Sequence, residues 1–221
     1  MSKVFALIVA AGEGRRYGEP KQFTVVGGRP LIEWPLERFE RHPNVDEIIL
    51  VLPRPEDLGG LRARFPKIAS IVGGGPLRQD SVWNGFLEVR ARSGDVVLVH
   101  DGARPLPEPG LISRVIEGAL RAGAAVPVLA MEDTVKEVRD GAVVRTLERD
   151  RLFRVQTPQG FLYDVLKDAL ESAREAGFVG TDEAALVERS GKPVAAVEGD
   201  PRNVKVTVPA DLKIVEAFLE T

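Results

Sequence analysis

Short apolar runs that alternate with segments of helical apolar spacing constrain the fold of this chain more than any other feature. The apolar runs lie at 4–10, 47–52, 68–72, 95–100, 125–129 and 194–198. The helical segments lie at 31–41, 56–65, 80–91, 109–122, 163–176, 182–190 and 209–219, with Asp80 and Pro209 marking two predicted helix starts. Because strands of a parallel sheet are buried on both faces, they contain continuous apolar runs and are joined by helical crossovers. We therefore predict an α/β fold in which helices flank a mostly parallel sheet.

One stretch departs from this alternation. Residues 133–150, "DTVKEVRDGAVVRTLERD", alternate polar and apolar side chains on both sides of Asp140-Gly141, a dipeptide favoured in tight hairpin turns. The pattern predicts a β-hairpin that projects from the domain as an arm. Since no internal repeat, low-complexity tract or Gly/Ser linker interrupts the chain, we expect residues 1–221 to form a single domain with this arm.

The composition excludes several classes of protein. The chain has no cysteine, which removes disulfides, thiolate nucleophiles and thiolate metal sites, and its two histidines, His42 and His100, do not have the spacing of a zinc site. Its net charge of −3 argues against broad binding to nucleic acid or to anionic membranes. The apolar runs are far shorter than the roughly 20 residues of a membrane span, and a strand begins within three residues of Met1. We therefore expect a cytoplasmic protein without a membrane segment or a secretory leader.

The first candidate site is the loop in "LIVAAGEGRRYGEPKQ", residues 7–22, which follows the first strand. Glycines allow its backbone to approach a phosphate closely, and the loop brings three cations to the same place: Arg15, Arg16 and Lys21. The spacing G-x-G-x-x-x-G does not match the dinucleotide fingerprint, and no G-K-[ST] motif of a Walker loop is present. A flexible turn with solvated arginines is the alternative, and Pro20-Lys21-Gln22 makes it less attractive.

Two further loops follow predicted strands. "GGGPLRQDSVWNG", residues 73–85, joins glycines to a helix start, where an oxyanion or a base edge can bind; a plain N-cap turn is nearly as good an explanation. "VHDGARP", residues 99–105, places Asp101 and Arg104 just after a buried strand, where an acid commonly serves a metal or a ribose. The alternative is that Asp101 only caps the turn.

The C-terminal half contributes weaker signals: Arg149, "TPQ" at 157–159, "GTDEA" at 180–184 and "NVKVT" at 203–207. Lys205 is the most informative of these residues, because it lies within an apolar run where an unpaired ammonium is costly to bury. The alternative is an edge-strand lysine that faces water.

Taken in order, these segments resemble the family of 2-C-methyl-D-erythritol 4-phosphate cytidylyltransferases, enzymes of the non-mevalonate isoprenoid pathway that make a CDP-alcohol from CTP. The loop "AAGEGRRYG" with "PKQ" resembles the wider nucleotidyltransferase superfamily, whereas "GGGPLRQDSV", "HDGARP", "TPQGF", "TDEA" and "NVKVT" are more specific. The resemblance covers nearly the whole chain. It implies a Rossmann-like nucleotidyltransferase sheet and transfer of CMP from CTP to methylerythritol phosphate, with release of pyrophosphate.

The resemblance also implies roles for particular residues. The implied nucleotide-binding set is Ala10, Ala11, Gly12, Gly14, Gly75, Ser81 and Gly102. The implied substrate-binding set is Asp101, Arg104, Thr134, Arg149, Thr181 and Lys205. The implied catalytic set is Arg16, Lys21, Arg149 and Lys205, with Arg16 and Lys21 stabilising the transition state. The chain departs from the family pattern at Gly102, where many relatives have Ala, and at Arg202, where some have Asp.

Mg²⁺ or another divalent cation is the implied cofactor, held at Asp101 directly or through water. The implied assembly is a homodimer in which Thr134 and Arg149 of the arm complete the partner's site. Three other activities stay open at this stage. They are transfer of CMP to another polyol phosphate such as ribitol 5-phosphate, sugar-1-phosphate nucleotidyl transfer, and nucleotide binding by a regulator without catalysis.

Overall fold

The computed structural model describes residues 2–12, 14, 17–18, 20–54 and 60–220. Its strands are β1 (Val4–Val9), β2 (Val25–Val26), β3 (Arg29–Pro30), β4 (Glu47–Leu52), β5 (Ile68–Gly73), β6 (Val96–Asp101), β7 (Ala124–Ala130), β8 (Lys136–Arg139), β9 (Ala142–Thr146), β10 (Phe153–Val155), β11 (Gln159–Leu162) and β12 (Ala195–Glu198). Its α-helices are α1 (Glu33–Arg41), α2 (Leu61–Arg64), α3 (Arg78–Phe86), α4 (Pro109–Ala122), α5 (Tyr163–Glu175), α6 (Glu183–Arg189) and α7 (Asp211–Leu219).

Eight strands form the central sheet in the order β10-β7-β11-β6-β1-β4-β5, with β12 paired to β7. The six strands predicted from apolar runs are all present and all run in one direction. The other two, β10 and β11, run in the opposite direction. The predicted α/β fold with a mostly parallel sheet and flanking helices is therefore confirmed.

Alternating residues of the strands supply two hydrophobic cores, one on each face of the sheet. On β1, Ala6 and Ile8 face a core that includes Leu36 and Phe39 of α1 and residues of α4. Phe5 and Leu7 face the other core, which is formed with α3, α5 and α6. This sandwich holds the carboxyl ends of the parallel strands at one edge.

A third, smaller cluster lies beside that edge. Val215 of α7 packs there with Val26 and Leu31 around the β2–β3 hairpin, and Val206 joins them from the 203–207 segment. The cluster fixes the backbone at Val206, the residue that follows Lys205.

The arm forms as predicted. β8 and β9 pair as a separate antiparallel hairpin, and Asp140 and Gly141 at its turn both have positive φ, at 52° and 79°. Val138 and Val143 are cross-strand partners and are 58% and 62% exposed. The hairpin thus presents apolar side chains to solvent in this chain.

Several sequence-based boundaries are wrong. The helix predicted at 80–91 begins at Arg78 and ends at Phe86, because Asp80 accepts a hydrogen bond from the Leu77 amide from inside the first turn instead of preceding the helix. The helix predicted from Pro209 begins at Asp211. The 203–207 run around Lys205 forms neither a strand nor a helix. Of the helix predicted at 56–65, residues 56–59 lie outside the described residues.

Candidate active site

A cleft of about 740 Å³ lies at the carboxyl ends of β1, β5 and β6. Open α/β sheets bind ligands at this edge, since loops from neighbouring strands meet there. The loop after β1, the loop after β5 and the end of β6 supply most of its described walls. Its volume is in the range of small-molecule sites.

The first wall is the described part of the loop after β1, residues 10–12 and 14, with Lys21 beyond it. Ala10, Ala11, Gly12 and Gly14 line the cleft, as does Lys21 on a short 3-10 turn. Gly14 has a φ of 69°, which favours glycine. Arg16, the other cation implied to stabilise the transition state, lies outside the described residues.

The second wall is the loop between β5 and α3. The Gly75 amide donates to Ser81 Oγ at 3.0 Å, and both residues line the cleft. A Cβ added at Gly75 would lie 2.4 Å from Asp80 Cβ, so the close turn into α3 requires glycine here. The predicted glycine turn into a helix is therefore present, with its helix start moved to Arg78.

The floor of the cleft is a charged cluster around Asp101 at the end of β6. Arg78 Nε donates to Asp101 Oδ1 at 3.1 Å, and Lys205 Nζ donates to Asp101 Oδ2 at 2.6 Å. Burial alone would raise the pKa of the Asp101 carboxyl, but Arg78 and Lys205 outweigh it and hold that pKa well below its usual range. Asp101 is therefore an ionised carboxylate that holds the side chains of Arg78 and Lys205 in place. Its role is not limited to capping the turn.

Two members of this cluster, Arg78 and Glu183, were not among the residues predicted from the sequence. Arg78 Nη1 donates to both carboxylate oxygens of Glu183, at 2.7 and 2.9 Å, and Glu183 is 1% exposed. Burial raises the pKa of Glu183 and the Arg78 guanidinium opposes that rise. Burial also disfavours the charge on Arg78, but Glu183 and Asp101 outweigh it and raise the pKa of Arg78 above its ordinary value.

Lys21 and Lys205 reach the same corner from opposite ends of the chain. Lys21 Nζ donates to the Val206 carbonyl at 2.6 Å. Val206 directly follows Lys205, whose ammonium binds Asp101. Lys205 is therefore not an isolated surface lysine, although its side chain is 37% exposed. Gly102 also lines this corner, and a Cβ added there would lie 2.7 Å from Ala10 Cβ and 2.9 Å from Ile32 Cδ1. This close packing favours glycine at position 102.

Comparison with known proteins identifies the family of this chain. The family model described as "IspD: 2-C-methyl-D-erythritol 4-phosphate cytidylyltransferase" matches residues 4–221. The chain is 42% identical to the enzyme of that name from Syntrophotalea carbinolica, covering 99% of this chain and 97% of the relative. It is 43% identical to the one from Geobacillus kaustophilus, covering 97% and 96%. The crystal structure of the Thermus thermophilus cytidylyltransferase superposes with a TM-score of 0.82 at 37% identity, covering 97% of this chain and 98% of that one.

The chain belongs to this family. The chain has the fold of the methylerythritol phosphate cytidylyltransferases, built around a glycine-lined, cationic cleft. It is an enzyme. A second crystal structure, of the Francisella tularensis cytidylyltransferase, superposes with a TM-score of 0.86 at 29% identity over 98% of this chain and 99% of that one. Because the family model and these relatives carry the methylerythritol phosphate name, ribitol 5-phosphate is not favoured as the acceptor.

Four residues of the implied cytidylyltransferase site stand apart from the described lining of the cleft. Arg104 lies beside the floor, where Nη1 donates to the Asn203 carbonyl at 2.8 Å and Nη2 to the Val155 carbonyl at 3.4 Å. Thr181 is exposed in the loop before α6. Thr134 and Arg149 belong to the exposed arm, where Arg149 Nη1 donates to the Glu132 carbonyl. The single chain therefore brings together in its cleft the residues that the resemblance assigns to the nucleotide, and it leaves the arm residues outside the described lining.

Proposed function

We propose that this cleft carries out CMP transfer from CTP to 2-C-methyl-D-erythritol 4-phosphate, giving 4-diphosphocytidyl-2-C-methyl-D-erythritol and pyrophosphate, in isoprenoid precursor biosynthesis. The observation that carries the proposal is the charge of the described lining. Its charged side chains are three cations, Lys21, Arg78 and Lys205, around one carboxylate, Asp101. Such a cleft attracts two phosphorylated substrates and reduces their mutual repulsion.

The chemistry needs alignment and charge neutralisation more than proton transfer. An oxygen of the methylerythritol phosphate attacks the α-phosphorus of CTP and forms a new P–O bond. The bond from the α-phosphorus to the bridging oxygen breaks, and pyrophosphate leaves with the electron pair. Because a phosphate monoester with a second pKa of about 6 is mostly dianionic at neutral pH, no general base is required.

The two substrates divide the site between them. The nucleotide contacts the backbone and small side chains of Ala10, Ala11, Gly12, Gly14, Gly75, Ser81 and Gly102. Lys21, with Arg16, meets the charge that grows on the α-phosphate and the leaving group. Asp101, Arg104, Thr181 and Lys205 hold the methylerythritol phosphate, and Thr134 and Arg149 of a second chain close over it.

The residues present fit a divalent cation held mainly by substrate. Among the described residues no group of three His, Cys, Asp or Glu side chains could hold a metal ion. Mg²⁺, however, commonly binds one carboxylate together with substrate phosphates and water, and Asp101 provides such a carboxylate at the floor. When bound, the cation would neutralise charge on the triphosphate oxygens.

We further propose that residues 1–221 act as one nucleotidyltransferase domain, that the arm at about 133–150 joins two chains in a homodimer, and that the enzyme works in the cytoplasm. The exposed pair Val138 and Val143 supports the dimer, since a two-stranded hairpin is marginal alone and gains from packing. In the described part of the chain, no helix is long and apolar enough to cross a membrane.

A pyrophosphate-release assay tests the proposed reaction. We expect turnover with CTP, Mg²⁺ and methylerythritol phosphate, at least a hundredfold lower kcat/KM with ribitol 5-phosphate, and loss of turnover in excess EDTA that added Mg²⁺ restores. Equal kcat/KM for both polyol phosphates would contradict the acceptor, and full turnover in EDTA would contradict the cation.

A further inference from the structure

His100 is a buried titratable side chain that the proposed mechanism does not use. His100 is fully buried at the end of β6, directly before Asp101. Its ring packs edge-on against Phe39, with ring centroids 5.0 Å apart. A histidine in an apolar core usually needs partners for both ring nitrogens, and this one has both.

Each ring nitrogen contacts a group next to the floor of the cleft. His100 Nε2 lies 3.0 Å from the Arg104 carbonyl oxygen. His100 Nδ1 lies 3.2 Å from Thr157 Oγ1, and the Asp101 amide donates to the same hydroxyl oxygen at 3.0 Å. The imidazole therefore contacts Arg104 directly and Asp101 through Thr157.

The chemistry of these partners assigns every proton. A carbonyl oxygen only accepts, so Nε2 carries the proton and donates to Arg104. The neutral ring then has its lone pair on Nδ1, which accepts from the Thr157 hydroxyl. That hydroxyl oxygen in turn accepts from the Asp101 amide. Both ring nitrogens of His100 and the Thr157 hydroxyl therefore have hydrogen-bond partners.

The bonds hold the two ends of one short turn. The Arg104 amide donates to the Asp101 carbonyl at 2.9 Å, and the Arg104 side chain donates to Asn203, so the turn is also tied to the segment that carries Lys205. Without His100, the Arg104 carbonyl would be left without this partner beneath the cleft. The Arg104 guanidinium would keep its bonds to the Asn203 and Val155 carbonyls but would lose this support of its backbone.

We propose that His100 is a positioning residue, which holds the Asp101–Arg104 turn in the geometry that binds the polyol phosphate by donating from Nε2 to the Arg104 carbonyl. The proposal rests on the proposed function, in which Arg104 holds that substrate. It assigns to His100 an effect on the polyol phosphate and not on CTP, because the first loop and Ser81 make no contact with this ring among the described hydrogen bonds.

Two substitutions separate the two ring contacts. In H100Q the side-chain amide can reach the Nε2 position and donate to the Arg104 carbonyl, whereas in H100N the shorter side chain can only replace the acceptor at Nδ1. We expect H100N to raise KM for methylerythritol phosphate about tenfold and H100Q less than threefold, with KM for CTP nearly unchanged in both. The control is H42N, since His42 is also buried and bonded to Pro109 O and Ser113 Oγ, away from the cleft.

A double-mutant cycle with R104A separates positioning from general destabilisation. R104A alone tests the proposed function, because it should raise KM for methylerythritol phosphate; if it does not, that function of Arg104 fails. If R104A raises KM and H100N then adds less than a twofold change, His100 acts through Arg104. An undiminished H100N effect in R104A, equal effects of H100N and H100Q, or an effect no larger than that of H42N would each overturn the proposal.

If H100N does not fold, ¹⁵N-histidine NMR of the wild-type enzyme tests the proposal instead, because it shows which ring nitrogen of His100 carries the proton. The chain has two histidines, so H42N assigns the signals. The proposal requires the Nε2–H tautomer at His100, and an Nδ1–H ring would overturn it.

Discussion

Lys21 reaches the cleft from a short 3-10 turn, and its ammonium is already placed by the Val206 carbonyl at 2.6 Å. A cation fixed before the substrates arrive is suited to charge that appears only in the transition state. We expect K21A to lower kcat roughly a hundredfold to a thousandfold, with KM for CTP within about threefold of wild type. Steady-state kinetics measure both parameters.

The matched control for K21A is K192A, which removes a half-buried surface lysine whose Nζ pairs with Asp168 Oδ2 at 2.7 Å. This variant should behave as wild type, since an exposed pair contributes little. If K21A instead raised KM for CTP and left kcat intact, Lys21 would bind the ground state and not the transition state.

Buried histidines also make the folded chain sensitive to acid. Burial lowers the pKa of His42, and burial lowers the pKa of His100 to about 4. A lowered folded pKa means that the stabilisation is complete above the unfolded value of about 6.5 and is lost as the pH falls from there towards 4. For His100 the loss amounts to about 3 kcal/mol over that window.

Denaturant unfolding in EDTA at pH 7.5, 6.5, 5.5 and 4.5 measures this loss. H100Q should have a smaller decrease in the free energy of unfolding over this range than wild type, because its amide does not titrate. Parallel curves for the two proteins would show that His100 does not contribute to the acid sensitivity.

At the scale of elements, the arm differs from the rest of the fold because its apolar side chains have no core of their own. Val138 and Val143 form one exposed cross-strand pair. We expect V143D to shift a dimer to monomer at micromolar concentration, since a buried unpaired charge opposes association. L87D is the control, because Leu87 is 63% exposed at the end of α3. Sedimentation velocity reports the mass, and a V143D protein that stays dimeric like L87D would contradict an interface at this face.

At the scale of the whole molecule, we propose that two chains share each site. Lys21 and Lys205 lie in the cleft of their own chain, whereas Arg149 lies outside its described lining. If Arg149 serves the partner's site, a hybrid of K21A and R149A chains has one site with both lesions and one with none. Random exchange makes half of the dimers hybrid, so mixing two nearly inactive variants should restore about a quarter of wild-type activity.

The control for this mixing experiment is K21A with K205A, whose lesions fall in the cleft of the same chain. Every site of that hybrid carries one lesion, so no recovery is expected. Recovery in the control, or none with R149A after exchange has been demonstrated by mass spectrometry, would contradict a shared site.

The sequence alone was sufficient for the parallel core and for the glycine loops that line the cleft. Apolar runs such as 47–52 are long enough to identify a strand buried on both faces, and glycine loops after such strands must gather at one edge of the sheet. Asp140-Gly141 likewise determines a hairpin locally, because its turn needs two positive φ values. These features depend on neighbours in sequence, which is why they could be predicted.

Only the tertiary structure decided the contacts between distant segments. β11, "QGFL", is too short and too polar to identify as a strand, and it is buried only because β6 and β7 pair with it from both sides. The Arg78–Glu183 pair has no local signal either, since an acid at a helix start usually faces water, and this one is buried at the start of α6, where Arg78 reaches it from α3. The spacing of residues along the chain does not contain the distances across the sheet. Those distances decide which charges pair and whether His100 only packs in the core or also positions Arg104.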